Sequence, residues 1–195
     1  MGRVKQRLGG SIGQTAALSF YRACLLHTVL RLSRSPHWRT LIAVTPDGDL
    51  ASSFWRGVAQ RWGVGLMPQG RGDLGQRMQR IFDHAGPGST IIVGSDIPAL
   101  RGAHIAAAFR LLRSADAVLG PAGDGGYWLV GMRSLQRLTP FERVPWSTPQ
   151  ALADTIANLD ARRVVFAPEL ADVDNIESFA SERRSAERLI HQAAP

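Results

Sequence analysis

Two carboxylates stand where short apolar runs stop. Thr90 to Val93 is apolar and β-branched and ends at Gly94-Ser95-Asp96-Ile97-Pro98, and Gly120-Pro121-Ala122-Gly123-Asp124-Gly125-Gly126-Tyr127 leads into the apolar Trp128 to Val130. A short apolar run closed by turn residues reads as a buried strand of a parallel sheet. Open α/β sheets bind ligands beyond the carboxyl ends of their strands, so Asp96 and Asp124 are expected to face one crevice. The plainer reading is that Asp96 caps a helix and Asp124 fills a tight turn. Two further stretches suit anions. Gln69-Gly70-Arg71-Gly72-Asp73-Leu74-Gly75-Gln76-Arg77-Met78 is a glycine-rich loop entering a helix, either a nucleotide site at a helix N-terminus or an ordinary β-to-α turn. Lys5 is the only lysine, against twenty-two arginines, and lies in Gly2-Arg3-Val4-Lys5-Gln6-Arg7-Leu8. An ammonium and a guanidinium two residues apart after a glycine suit phosphate binding, unless they are stray charge at a chain start.

The elements that must position these groups follow from periodicity. Residues 2–12 read as a loop. Ser11 with Gln14 forms a capping-box pattern, and Leu18, Tyr21, Leu25, Val29 and Leu32 recur at helical spacing. A long amphipathic helix over 13–34 is therefore expected, ended by Pro36. Thr40 to Thr45 reads as a buried strand, 49–61 as a helix whose Phe54 and Trp55 pack with Trp62, and Val64 to Met67 as a strand. Asp73 can cap the next helix with Gln76 reaching back. Ile105, Ala108, Phe109 and Leu112 mark another helix, and Ala117 to Leu119 a strand completing a βαβ unit. An irregular connection over 141–148, a helix over 149–159, a strand at Val164 to Phe166 and a final helix after Asp172-Val173-Asp174-Asn175 complete the chain. A doubly wound sheet starts with a strand feeding the first phosphate loop, whereas this sequence starts in the loop. The expectation is one domain over 1–195 whose first strand is missing from this chain.

Composition bounds the partners. With 195 residues and 45% hydrophobic content, the chain can build a sizeable core. The net charge of +7 is dispersed, with Arg71, Arg77 and Arg80 the nearest thing to a cluster. No nucleic-acid-reading motif accompanies it, so a small anionic ligand is expected in place of nucleic acid. The single cysteine, Cys24, reads as a buried core thiol. No run is long enough for a membrane span and no signal-peptide core is present, which points to a reducing, cytoplasmic setting.

In order, GRVKQRL, QGRGDLGQRM, GSDIPAL, GPAGDGGYWLVGM, the PWST around Trp146 and DVDN resemble the glycosyltransferase-A-like family of arsenosugar-biosynthesis-type and uncharacterised glycosyltransferases. That family is similar to the 2-phospho-lactate and molybdenum-cofactor guanylyltransferases. The sequence departs from it in keeping only Gly2 of a Pro-x-Pro-Gly lead-in and in reading Lys5-Gln6-Arg7-Leu8 for Lys-Thr-Arg-Leu. The resemblance implies a Rossmann-like three-layer αβα sandwich of the nucleotide-diphospho-sugar transferase type. It also implies Asp96 and Asp174 as carboxylates for Mg²⁺ or Mn²⁺, and a nucleotide side formed by Gly2, Lys5, Arg7, Gly70, Asp73, Leu74, Gly75 and Arg77. Gly125, Gly126, Tyr127 and Trp146 would face the acceptor. Asp124 would orient the acceptor or act as base, with Lys5 and Arg7 completing the catalytic set by clamping phosphates. The expected activity is transfer of sugar from a nucleotide sugar to a small acceptor. Nucleotidyl transfer, with release of pyrophosphate, is the alternative on the same residues, and a non-catalytic nucleotide-binding protein is a third reading.

Overall fold

The computed structural model describes residues 13–133, 139–160 and 162–170. Helix α1 (Gln14–Ser33) is followed by β1 (Leu41–Val44), a short 3₁₀ turn at Asp47–Ala51, α2 (Ser53–Trp62), β2 (Gly65–Pro68), α3 (Leu74–His84) and β3 (Thr90–Val93). Then come α4 (Gly102–Leu111), β4 (Ala117–Pro121), β5 (Tyr127–Met132), α5 (Ala151–Asn158) and β6 (Val164–Phe166). Strands β1 and β2 pair in parallel, and a second sheet has the order β3-β5-β4-β6. In it β5 runs antiparallel to both β3 and β4, while β4 and β6 are parallel.

Alternation along the strands sends side chains to two helical layers. Ala117 and Leu119 of β4, with Val130 and Met132 of β5, pack against Met78 and Phe82 of α3 and against Leu159 beyond α5. Val118 and Leu129 turn the other way, towards Ile105 and Ala108 of α4, Leu112 and Leu32 of α1. A third cluster joins Leu25 and Val29 of α1 to Ile42 and Val44 of β1 and to Trp55 and Val58 of α2. Helices α1, α2 and α4 therefore cover one face of the sheets and α3 and α5 the other: a three-layer αβα sandwich. Cys24 is buried in α1, and Phe54 and Trp62 pack against the third cluster around Trp55.

Several sequence expectations change in detail. Helix α1 begins at Gln14 behind Gly13, whose φ of 85° breaks the helix, and no side chain among the described residues caps it. Gln14 is thus the first helical residue and not the third residue of a box; Ser11 itself lies outside the described residues. The segment expected as one helix over 49–61 is divided, because Ser52 is extended (ψ 147°) and its hydroxyl accepts from Trp55 N–H to start α2. Strand β3 was expected to join a parallel sheet beside β4. Instead β5 folds back between them, antiparallel to each, so the β3-α4-β4 unit steps over one strand.

Room for β5 comes from missing side chains. A Cβ on Gly131 would lie 2.8 Å from Val118 Cγ1 and 2.9 Å from Ile91 Cγ1, and one on Gly120 would lie 2.6 Å from Trp128 Nε1. Leu119 is fully buried in the β4–β5 ladder. Leu119→Ala should cost about 2–5 kcal/mol, read as a lower urea midpoint at unchanged m value, whereas Leu41→Ala, at an exposed position, should cost less than about 1 kcal/mol.

Candidate functional site

The two sheets and the loops beyond their strands enclose a cavity of about 900 Å³. Asp96, Asp124, Gly126, Tyr127, Trp146, Leu74 and Arg77 of the sequence-predicted residues line it. Asp96, in the loop after β3, and Asp124, in the turn before β5, are its only acidic side chains among the described residues. Gly70, Asp73, Gly75 and Gly125 do not reach its wall. Gly2, Lys5, Arg7 and Asp174 lie outside the described residues.

Asp124 does close a turn. Its Oδ1 accepts from Gly126 N–H at 2.9 Å, while Ala122 N–H donates to Gly126 O and Gly125 N–H to Ala122 O. Its second oxygen has no hydrogen bond among the described residues, so the turn and a role at the cavity are compatible. Gly125 has φ 84°, and a Cβ there would collide with the Pro149 backbone. The same loop is tied to α5, because Leu152 N–H donates to Gly125 O.

The glycine-rich loop is held from several directions. Gly70 N–H donates to Asp47 Oδ1 at 2.9 Å, and the Gln69 side-chain amide donates to Ala43 O at 2.9 Å. Arg80 donates to the carbonyls of Gln69 and Arg71, and Arg77 Nε donates to Gly72 O at 2.9 Å. Sequence reasoning missed Asp47 and Arg80 as supports. The only signal was the loose Arg71, Arg77, Arg80 grouping, since nothing in the sequence shows that a guanidinium turns back onto its own loop. Asp73 Oδ1 accepts from Gln76 N–H at 2.8 Å, and Gln76 Oε1 accepts from Asp73 N–H at 3.2 Å. That is the reciprocal capping box expected. It also places a carboxylate at the helix end that would otherwise attract an anion.

Gly75 serves packing. A Cβ on it would lie 2.6 Å from Phe141 O and 2.8 Å from Trp146 Cζ2, so the absent side chain lets the 141–148 connection seat Trp146 against α3. There the Trp146 ring meets Tyr127 at 6.4 Å and Phe141 at 6.3 Å between centroids. Its indole Nε1 is buried with no hydrogen-bond partner among the described residues, a donor whose desolvation they leave uncompensated. Tyr127 Oη lies 3.3 Å from Thr155 Oγ1, whose own hydroxyl donates to Ala151 O at 2.8 Å. Burial pushes the Tyr127 phenol up to about 12, partly opposed by the Thr155 bond, so it is a neutral wall and not a proton acceptor at ordinary pH. No three His, Cys, Asp or Glu side chains converge among the described residues, and no described helix is long and apolar enough to cross a membrane.

The layered α/β fold, with a cavity at its strand ends, defines a protein of the nucleotide-diphospho-sugar transferase fold class. Similar solved structures bear this out. A provisional nucleotide-diphospho-sugar transferase of Desulfovibrio desulfuricans G20 matches with TM-score 0.81 and 30% identity, over 94% of this chain and 81% of that one. The 4-diphosphocytidyl-2C-methyl-D-erythritol synthase of Anaerococcus prevotii DSM 20548 matches with TM-score 0.63 and 8% identity over 84% of this chain and 89% of its own. Molybdopterin-guanine dinucleotide biosynthesis protein A of Archaeoglobus fulgidus matches with TM-score 0.55 and 12% identity over 84–86% cover (85% of this chain is likewise covered by a mycobacterial structure). At such identities the last three share the fold alone. Residues 28–148 match the DUF2064 family, described as an uncharacterized protein conserved in bacteria, and the chain belongs to that family. No curated protein matches.

Two variants test this arrangement. Gly75→Ala should lower stability by about 1–3 kcal/mol through overpacking and shift Trp146 fluorescence. For Tyr127, a folded pKa raised from 10.0 to about 12 favours the neutral form, so its stabilisation is complete below pH 10 and lost as pH rises towards 12. Tyr127→Phe should therefore flatten the alkaline decline of stability in that window, measured by urea unfolding across pH.

Proposed function

We propose that the protein is a Mg²⁺- or Mn²⁺-dependent transferase using an activated nucleotide, a nucleotide-sugar glycosyltransferase acting on a small-molecule acceptor. The observation that carries this is the single cavity on which Asp96, Asp124, Arg77, Tyr127 and Trp146 meet. The 30% identity with the D. desulfuricans protein supports the sugar-donor form. Similarity of fold to the cytidyl and guanine-dinucleotide proteins favours, as a second reading, nucleotidyl transfer from a triphosphate to a phosphorylated or acidic acceptor.

The donor set suits the metal. Mg²⁺ takes oxygen ligands and is commonly held by one or two carboxylates plus substrate phosphates, retaining waters; a cavity wall with few acids and no His or Cys cluster meets that requirement. Asp96 would hold the metal together with Asp174. The bound ion would offset charge developing on the leaving diphosphate. Lys5 and Arg7 would hold the phosphates, with Arg77 and the Gly70–Gly75 loop on the nucleotide side. Tyr127 and Trp146 would wall the acceptor, whose hydroxyl Asp124 would orient and whose proton it would accept as the new bond forms.

A thermal-shift panel of nucleotides and nucleotide sugars, with and without Mg²⁺, tests this, because ligands of the native state raise its apparent stability. A shift with a nucleotide diphosphate sugar is expected. A shift with a triphosphate alone would replace sugar transfer by nucleotidyl transfer, and no shift with any ligand would leave a protein without nucleotide affinity. Asp96→Asn should weaken Mg²⁺-dependent nucleotide binding at least about tenfold, or 1.4 kcal/mol, at unchanged melting temperature without ligand. Wild-type-like binding would remove Asp96 from the site.

A further inference from the structure

Three residues other than glycine hold a left-handed backbone among the described residues: Arg143 at φ 56°, Ser147 at φ 65° and Asp160 at φ 49°. A residue with a Cβ meets a steric penalty in that region that glycine escapes. Elsewhere the chain gives such positions to glycine, as at Gly63, Gly70, Gly72 and Gly125. Arg143 and Asp160 are exposed and lie outside the cavity, whereas Ser147 is exposed on its wall. A strained residue persists only where its surroundings hold it, and such residues gather at ligand clamps.

The turn around Ser147 is built without its side chain. Thr148 Oγ1 donates to Pro145 O at 2.7 Å and accepts from Gln150 N–H at 3.4 Å, and Ala151 N–H donates to Thr148 O at 3.2 Å. The Pro149 backbone lies against Gly125, where a Cβ would come within 2.4 Å of Pro149 O. These contacts fix Ser147 beside the turn that carries Asp124. The Ser147 hydroxyl makes no hydrogen bond among the described residues, so neither the turn nor the start of α5 accounts for a serine here. Glycine would suit the backbone better.

The neighbouring groups define what that hydroxyl recognises. A hydroxyl donates once and accepts twice, whereas an ionised carboxylate only accepts. Ser147 and the second oxygen of Asp124 together match adjacent hydroxyls of a ligand, and the carboxylate disfavours an anion at this corner. The rings of Tyr127 and Trp146 add apolar faces to the same wall, suited to the C–H side of a saturated ring. We propose that Ser147 is a specificity-determining residue: with Asp124 it reads adjacent hydroxyls on an uncharged, polyhydroxylated ring, the acceptor of the transfer. The assignment of that ring as acceptor rests on the transferase reading, whereas its recognition by Ser147 needs neither nucleotide nor metal.

Saturation-transfer NMR with free glucose, mannose and ribose, against cyclohexanol as a ring with one hydroxyl, tests this. At least one of the three sugars should bind the wild-type chain, and cyclohexanol should bind at least about tenfold more weakly. Ser147→Ala keeps the left-handed strain and removes the hydroxyl, so it should weaken that sugar about fivefold or more at an unchanged melting temperature. Ser147→Gly should weaken it as much while raising the melting temperature, because glycine relieves the strain. Arg143→Gly relieves the same strain outside the cavity and should raise the melting temperature with sugar binding intact. Sugar binding retained by both Ser147 variants would overturn the proposal and leave Ser147 a residue of the turn. Absence of binding by all three sugars, or equal binding of cyclohexanol, would overturn it too. Ser147-dependent sugar binding without any nucleotide-induced thermal shift would uphold the Ser147 assignment and strike the transferase reading.

Discussion

Strand β5 pairs with β3 on one edge and β4 on the other, and the site depends on that double pairing. The ladder registers Val93 against Leu129 and Leu119 against Val130. The loop after β3 and the turn before β5 are thereby brought to one wall of the cavity. Asp96 belongs to the first and Asp124 to the second. The pairing is possible because Gly131 and Gly120 bring no side chain to places already filled by Val118, Ile91 and Trp128. The β4–β5 ladder is buried on both faces, and rigid strands are what hold polar groups steady at their ends.

The glycine-rich loop beside the cavity is held by side chains that would otherwise be read as ligand contacts. Asp73 and Gln76 close the start of α3 on themselves, Arg80 grips the carbonyls of Gln69 and Arg71, and Asp47 fixes Gly70 N–H. A loop held this way is pre-ordered, so less entropy is lost when a ligand settles on it. Its helix terminus nevertheless carries an acid. Cationic help for a phosphate on this side must come from Arg77 or from residues elsewhere in the chain.

Tyr127 and Trp146 form the dry side of the cavity. Desolvation keeps the phenol neutral, and the Tyr127–Thr155–Ala151 chain of hydrogen bonds fixes its orientation against α5. Trp146 brings to the same corner a buried indole N–H with no partner among the described residues. Buried donors of this kind are costly and are usually satisfied, which makes the corner suited to a polar acceptor.

Local pattern determined much of this. The apolar run of β3 is bounded as the sequence indicated, Asp73 and Gln76 form the box their spacing announces, and Val164–Phe166 is a strand, because strand ends and caps depend on neighbours a few residues apart. The α/β alternation was legible for the same reason, whereas the three-layer αβα sandwich was implied by the family resemblance. Tertiary structure alone decided that β5 would intrude antiparallel between β3 and β4, since pairing partners lie tens of residues apart and two glycines had to coincide with bulky neighbours. It alone decided that Gly75 makes room for Trp146 and that Arg80 turns back on its own loop, because periodicity says which face a residue occupies but not what it meets there.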